Sequence, residues 1–280
     1  MIDFCHISPT AYLSSFTITN GAHLVLAHLV EEDTEYRNYY ANLNDGKFKI
    51  MDNSAFEMYK QGRPMYGTDD LLPMAKACNA DMIVMSDYPN EPAQKTIDAA
   101  IETAPIYKDA GFKTFFVPQS KIGDIGDYLY GMEWALESNL VDRIGLSILG
   151  CPNAYGVEKD NKLQRYLSRL AILRELEKHD MLNQWAAKRF HCLGMVDGPN
   201  EIDLLREYHP YIASWDSSAA VWAGINNIRF DDTPTGLVNG KYEREVEFDF
   251  QTDLPVDTID NVMYNVYYID EMVSNEGVYK

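Results

Sequence analysis

Short runs of apolar, β-favouring residues recur along the chain at Phe4–Ile7, Leu24–Leu29, Phe48–Met51, Met82–Met85, Thr114–Val117, Ile144–Ile148, His191–Met195 and Tyr211–Trp215. Most are continuously apolar rather than alternating. That is the pattern of parallel strands covered on both faces. Helical patterns lie between them. Pro92 stands at a first-turn position of one, and Gly111 stands where its C-terminal cap falls. Leu163, Tyr166, Leu167, Leu170 and Leu173 form an apolar stripe at helical spacing, and Ile259, Val262, Met263, Val266 and Ile269 form a last one. Eight strands alternating with helical crossovers predict an α/β fold, a closed (β/α)8 TIM-type barrel in which the final helix packs from outside. No glycine-rich dinucleotide turn follows any strand, which speaks against an open doubly wound sheet. Between about 225 and 255 the rhythm breaks. Asn239-Gly240 between β-type residues predicts a small hairpin inserted before the last helix.

Composition fits that architecture. The 280 residues, 46% hydrophobic and 24% charged, suit one barrel domain spanning 1–280, since eight repeats need roughly 250 residues. No apolar run is long enough to span a membrane and no secretory segment opens the chain, so the expected location is the cytoplasm, with no membrane partner. Cys5, Cys78, Cys151 and Cys192 are scattered and predict no disulfide framework. The net charge of −19 weighs against a polyanionic partner. One stretch departs from it: Lys159, Lys162, Arg165, Arg169, Arg174, Lys178, Lys188 and Arg189 are concentrated together. Lys162, Arg165 and Arg169 fall on one helical face, opposite the Leu163 stripe. They are expected either to contact a nucleic-acid backbone or to form a solvated face paired with Glu158, Glu175 and Glu177.

In such barrels chemistry sits at the C-terminal strand ends. There the third strand runs into Asp52, the fourth into Asp87, the fifth into Gln119 and the eighth into Asp216, while the sixth passes Gly145 and the seventh ends at Leu193-Gly194. An Asp directly after a strand is as often a helix cap or turn former. Three of them on one rim fit carboxylates that divide nucleophile and acid/base roles at an anomeric carbon. His6 and His28 near the first two strand ends are expected to be hydrogen-bonded structural residues. In Cys5-His6 and His191-Cys192, neighbouring side chains point to opposite strand faces, which rules out simple ligation by either pair.

The ordered series DNSAFE, SDYPN, VPQS, IGLSILG, HCLGM and SWDSS, from Asp52 to about Asn226, resembles the motifs of the tRNA-guanine transglycosylase superfamily. It is most similar to the compact virus- and bacterium-encoded members that place 7-deazaguanine bases into DNA. The resemblance implies Asp216 as the nucleophile on C1′ of a guanosine and Asp52 as the acid/base. It implies Asp87 as the reader of the guanine N–H edge, and Gln119 and the Gly145 backbone as donors to its carbonyl. Phe56 and Leu193 would cover the two base faces. The implied partners are nucleic acid, DNA before tRNA, and a 7-deazaguanine base. A homodimer is compatible with the sequence, which does not set the oligomeric state. The family motif DSGGFQ reads DNSAFE here, Tyr88-Pro89-Asn90 departs from the acidic and polar pair after Asp87, and the Cys/His zinc cluster of the tRNA enzymes has no counterpart after Asp216. No metal and no cofactor are therefore expected. A hydrolase or transferase acting on a free nucleoside or small glycoside is the alternative, and a non-catalytic purine-binding relative is a further one.

Overall fold

A computed structural model describes residues 1–182, 190–196, 198–230 and 254–274. Eight strands form one all-parallel sheet: β1 (Asp3–His6), β2 (Ala22–Leu26), β3 (Phe48–Asp52), β4 (Met82–Val84), β5 (Lys113–Phe116), β6 (Arg143–Ser147), β7 (Phe190–Leu193) and β8 (Ile212–Ser217). Their order is β1-β8-β7-β6-β5-β4-β3-β2, a nearly closed (β/α)8 barrel. β1 and β2 meet at the seam. There the Gly21 N–H donates to Phe4 O at 3.0 Å and the His6 N–H to Asn20 Oδ1 at 2.9 Å. The continuous apolar runs are buried as that reading requires: every residue of β2 and β4 is buried.

The helices are α1 (Leu13–Phe16), α2 (Ala27–Glu32), α3 (Thr34–Asn42), α4 (Ala55–Gln61), α5 (Thr68–Ala77), α6 (Ala93–Asp109), α7 (Ile125–Glu137), α8 (Gly150–Ala154), α9 (Lys162–Lys178), α10 (Asn200–Leu204), α11 (Ala219–Ile225) and α12 (Val256–Ser274). Pro92 caps α6 one position earlier than its first turn, and Gly111 follows the helix at φ +91°. α12 packs as predicted, with Val262, Val266 and Ile269 fully buried. Two expectations are corrected. The second apolar run does not stay extended to Leu29: the chain turns into α2 at Ala27, whose apolar residues are buried beneath its neighbours. In α9 the apolar stripe holds only in part. Leu173 is fully buried and Leu170 packs against the core, but Leu163 and Leu167 are exposed, and Ser168, Arg169, Ile172 and Leu176 share the inward face. The core of the expected hairpin, 231–253, lies outside the described residues. Among the described residues no helix is long and apolar enough to cross a membrane.

Candidate active site

β3 ends on Asp52, and β8 carries Asp216 one residue before its end. Asp216 pairs in register with Cys5 of β1, and Asp52 with Leu26 of β2. The two carboxylates thus flank the seam at the same rim of the barrel. The Asp52 Oδ2 accepts the Ser54 N–H at 2.8 Å. This local turn places Ser54 in the left-handed region at φ +52°, a conformation that favours glycine. The strained residue is fastened from the next strand end: the His28 N–H donates to Ser54 Oγ at 3.2 Å, and His28 Nδ1 lies 2.9 Å from the same oxygen.

Asp87 sits beyond β4, with only 2% of its surface exposed. Asn53 Nδ2 donates to its Oδ1 at 2.7 Å and also to Met85 O, while Gln119 Nε2 donates to its Oδ2 at 2.6 Å. Asn53 and Gln119 therefore act directly on Asp87, a role that motif comparison does not give to either. Gln119 Oε1 is buried without a hydrogen-bond partner.

Asp216 is 7% exposed. Its Oδ1 accepts the Gly194 N–H at 3.2 Å and lies 2.9 Å from His191 Nε2. Gly194 takes φ +70°, which turns its N–H toward Asp216 and its carbonyl toward Trp215 Nε1, at 2.8 Å. Phe56 is exposed on α4 and Leu193 half-buried at the end of β7. Gly145 lies mid-strand in the barrel interior. A Cβ there would come within 2.7 Å of Phe115 Cε2, 2.9 Å of Leu193 Cδ1 and 3.0 Å of Val117 Cγ2, so packing alone requires glycine.

The electrostatics separate these groups. Burial first, and then the charges of Glu57, Asp216 and Asp87, push the Asp52 carboxyl well above the usual carboxylate range, with the Ser54 N–H opposing. Burial raises Glu57 as well, with the Asp216 charge adding to it. Asp87 rises to about 6 through burial, offset in part by the Asn53 and Gln119 donors. Glu57, the residue that departs from the family pattern at the end of DNSAFE, is thus a fourth carboxyl coupled to Asp52 and Asp216.

The basic strip does not form as expected. Arg169 is 1% exposed and paired at 2.9 Å with fully buried Glu201. Its other N–H groups donate to Leu146 O, Leu193 O and Gly194 O, and its guanidinium lies over Trp215. A side chain so enclosed cannot touch a phosphate backbone, and that part of the expectation is withdrawn. Arg165 is half-buried, with Nη2 donating to Ile148 O at 3.2 Å, and Lys162 is exposed. Among the described residues no group of three or more His, Cys, Asp or Glu could hold a metal ion. A cleft of ≈530 Å³ opens at the N-terminal end of β3, between Asn42, Asp45, Lys47, Lys49 and Asn79, at the end of the barrel away from the carboxylates.

His6 points outward to Asp270 of α12 at 3.0 Å, and His28 is held by Ser54, so both are structural. His191 and Cys192 do point to opposite faces: His191 inward to Asp216, Cys192 outward beside Arg169. Ser214 and His191 were missed as site residues. The signal was present in SWDSS, where the two-residue spacing sets Ser214 and Asp216 on one face of β8. Compared with known proteins, the chain matches no protein-family model, and no curated protein matches it.

Proposed function

We propose that this chain is a base-exchanging transglycosylase that replaces guanine in nucleic acid, DNA before tRNA, with a 7-deazaguanine base. The observation that carries the reading is the pairing of two unlike carboxyls on one rim. Asp216 has Oδ1 held by two neighbours, and Asp52 is biased by its surroundings toward the protonated form. In this reading Asp216 Oδ2 attacks C1′ as the C1′–base bond breaks, and Asp52 gives its proton to the departing guanine. The incoming base then loses a proton to Asp52 and attacks C1′, releasing the Asp216 carboxylate. Ionised Asp87, steadied by Asn53 and Gln119, accepts from the N–H edge of the base, and Phe56 and Leu193 cover its faces. Ser54 lends support to the resemblance: it holds φ +52° at a position where the family motif has glycine.

The burial of Arg169 and the cluster of rim carboxyls favour a second reading, a hydrolase or transferase on a free nucleoside or small glycoside, which would use the same Asp52 and Asp216. Incubation with labelled guanine and either DNA, tRNA or free guanosine tests both. Label entering a polymer supports exchange on nucleic acid. Label entering only guanosine, or guanosine hydrolysis alone, supports the second reading. No turnover in any arm overturns both.

A further inference from the structure

Three interior side chains on successive strands line up beneath Asp216. Arg143 Nη1 of β6 donates to Ser214 Oγ of β8 at 2.8 Å. Ser214 Oγ lies 2.7 Å from Nδ1 of His191 on β7, and His191 Nε2 lies 2.9 Å from Asp216 Oδ1. The donor sense is set from the two ends of the chain. Guanidinium only donates, so Ser214 Oγ accepts from Arg143, and an ionised carboxylate only accepts, so His191 Nε2 carries the ring proton and donates it to Asp216. In a neutral ring Nδ1 is then an acceptor, and the Ser214 hydroxyl proton fills it. The surroundings agree with an uncharged ring. His191 is fully buried, its face meets Phe115 of β5 edge-on at 5.4 Å, and the nearby Cys5 thiol of β1 is pushed up by burial and the Asp216 charge. Burial outweighs Asp216 in lowering the His191 pKa, with the Arg143 and Arg169 charges lowering it further.

We propose that His191 is the positioning residue of the Asp216 carboxylate, fixed as its Nε2–H tautomer by the hydrogen-bond chain from Arg143 through Ser214. This rests on the transglycosylase reading above and deepens it. His191 touches neither sugar nor base and keeps its proton throughout. Its N–H and the Gly194 N–H both engage Oδ1, which sets the plane of the carboxylate and leaves Oδ2 as the attacking atom. As the glycosyl ester forms, negative charge leaves the carboxylate. When the second base attacks, charge returns to an oxygen whose donors are already in place. A merely space-filling histidine would not need both ring nitrogens engaged. Buried His6 and His23 each leave Nδ1 without a partner, whereas His191 leaves none.

The test uses the full chain with DNA or tRNA and labelled guanine, comparing wild type with His191→Ala, His191→Gln and Ser214→Ala. His191→Ala should lower kcat about 100-fold, the scale of a misplaced reacting group, with KM for guanine unchanged. His191→Gln, whose amide N–H can reach the same oxygen, should recover most of that loss. Nitrogen-15 spectra of the imidazoles, recorded without substrate, should show one Nε2–H tautomer for His191 in wild type and a mixture in Ser214→Ala. Equal kcat in His191→Ala and wild type, an effect on KM alone, no recovery by glutamine, or an Nδ1–H tautomer would each overturn the proposal. If His191→Ala fails to fold, Ser214→Ala carries the kinetic comparison, and unchanged kcat there overturns it. Absence of exchange by wild type refutes the transglycosylase reading separately, while the tautomer spectrum still decides the hydrogen-bond chain.

Discussion

Replacing Arg169 by methionine keeps most of the side-chain length and removes its charge from a site closed to water. The carboxylate of Glu201, fully buried and raised by that burial, would keep only the Val196 N–H on Oε2. The carbonyls of Leu146, Leu193 and Gly194 would lose their guanidinium donor. Breaking a buried pair from one side costs about 3–5 kcal/mol, because the remaining charge is stranded. In a barrel of this size each kcal/mol moves the midpoint by about 2–4 °C, so Arg169→Met should lower Tm by about 6–20 °C in a calorimetric scan at neutral pH. Adding Glu201→Gln removes the stranded charge and keeps an acceptor for Val196. The double variant should be more stable than the sum of the singles by about 2 kcal/mol. The Leu193–Gly194 turn also delivers an N–H to Asp216, so the single variant should lose turnover even below its midpoint. A phosphate-contacting Arg169 would behave in the opposite way, with Tm unchanged and polymer affinity reduced. A loss below about 1 kcal/mol, or strictly additive variants, would refute the strut.

Four further outcomes follow from the site. Asp87 is raised from 3.8 to about 6, so it contributes stability that is full below pH 3.8 and lost as pH rises through about 6, a swing of about 3 kcal/mol. Asp87→Asn should therefore gain Tm relative to wild type at pH 8 but not at pH 3.5, and base affinity in wild type should fall as pH drops through about 6. Equal Tm differences at both pH values would contradict this. Asp216→Asn should abolish exchange and the covalent intermediate seen by intact-protein mass spectrometry while still binding base. Asp52→Ala should lose turnover more than base affinity, and a defect in binding alone would make Asp52 part of the pocket wall. Gly145→Ala forces a methyl group against Phe115, Leu193 and Val117 and should cost about 1–3 kcal/mol in urea titrations. An unchanged midpoint would mean that the interior is looser than these distances imply.

The barrel was legible because its strands are buried on both faces. Runs such as Met82–Val84 and Phe115–Phe116 carry no polar interruption, and their spacing leaves room for a helix each time. The rim carboxyls were legible for a related reason, since a polar residue directly after such a run has to stand at the strand end. What periodicity could not supply were pairings between distant segments. The inward face of α9 is only partly legible as an apolar stripe, because Arg169 looks like a surface residue until Glu201, on another helix, is known to face it. The role of His191 is not legible for the same reason: Ser214 and Asp216 lie on the following strand, and only the interior of the closed barrel brings the three together. Asn53 was read as a departure from a motif, yet its amide bridges two strand ends.

The seam of the barrel has a mechanical consequence. Among the described strands, adjacent pairs are zipped by backbone ladders except β1 and β2, which close through the Gly21 and Asn20 bonds. Asp216 rides on the strand outside β1, and Asp52 on the strand outside β2. A cylinder stitched everywhere but along one line breathes by gaping at that line, much as a slit ring opens at its cut. The gap between the two carboxylates is the arc that widens. On the transglycosylase reading that separation is the one an attack at C1′ would have to span, and the Gly21 and Asn20 bonds across the seam are what resist its widening.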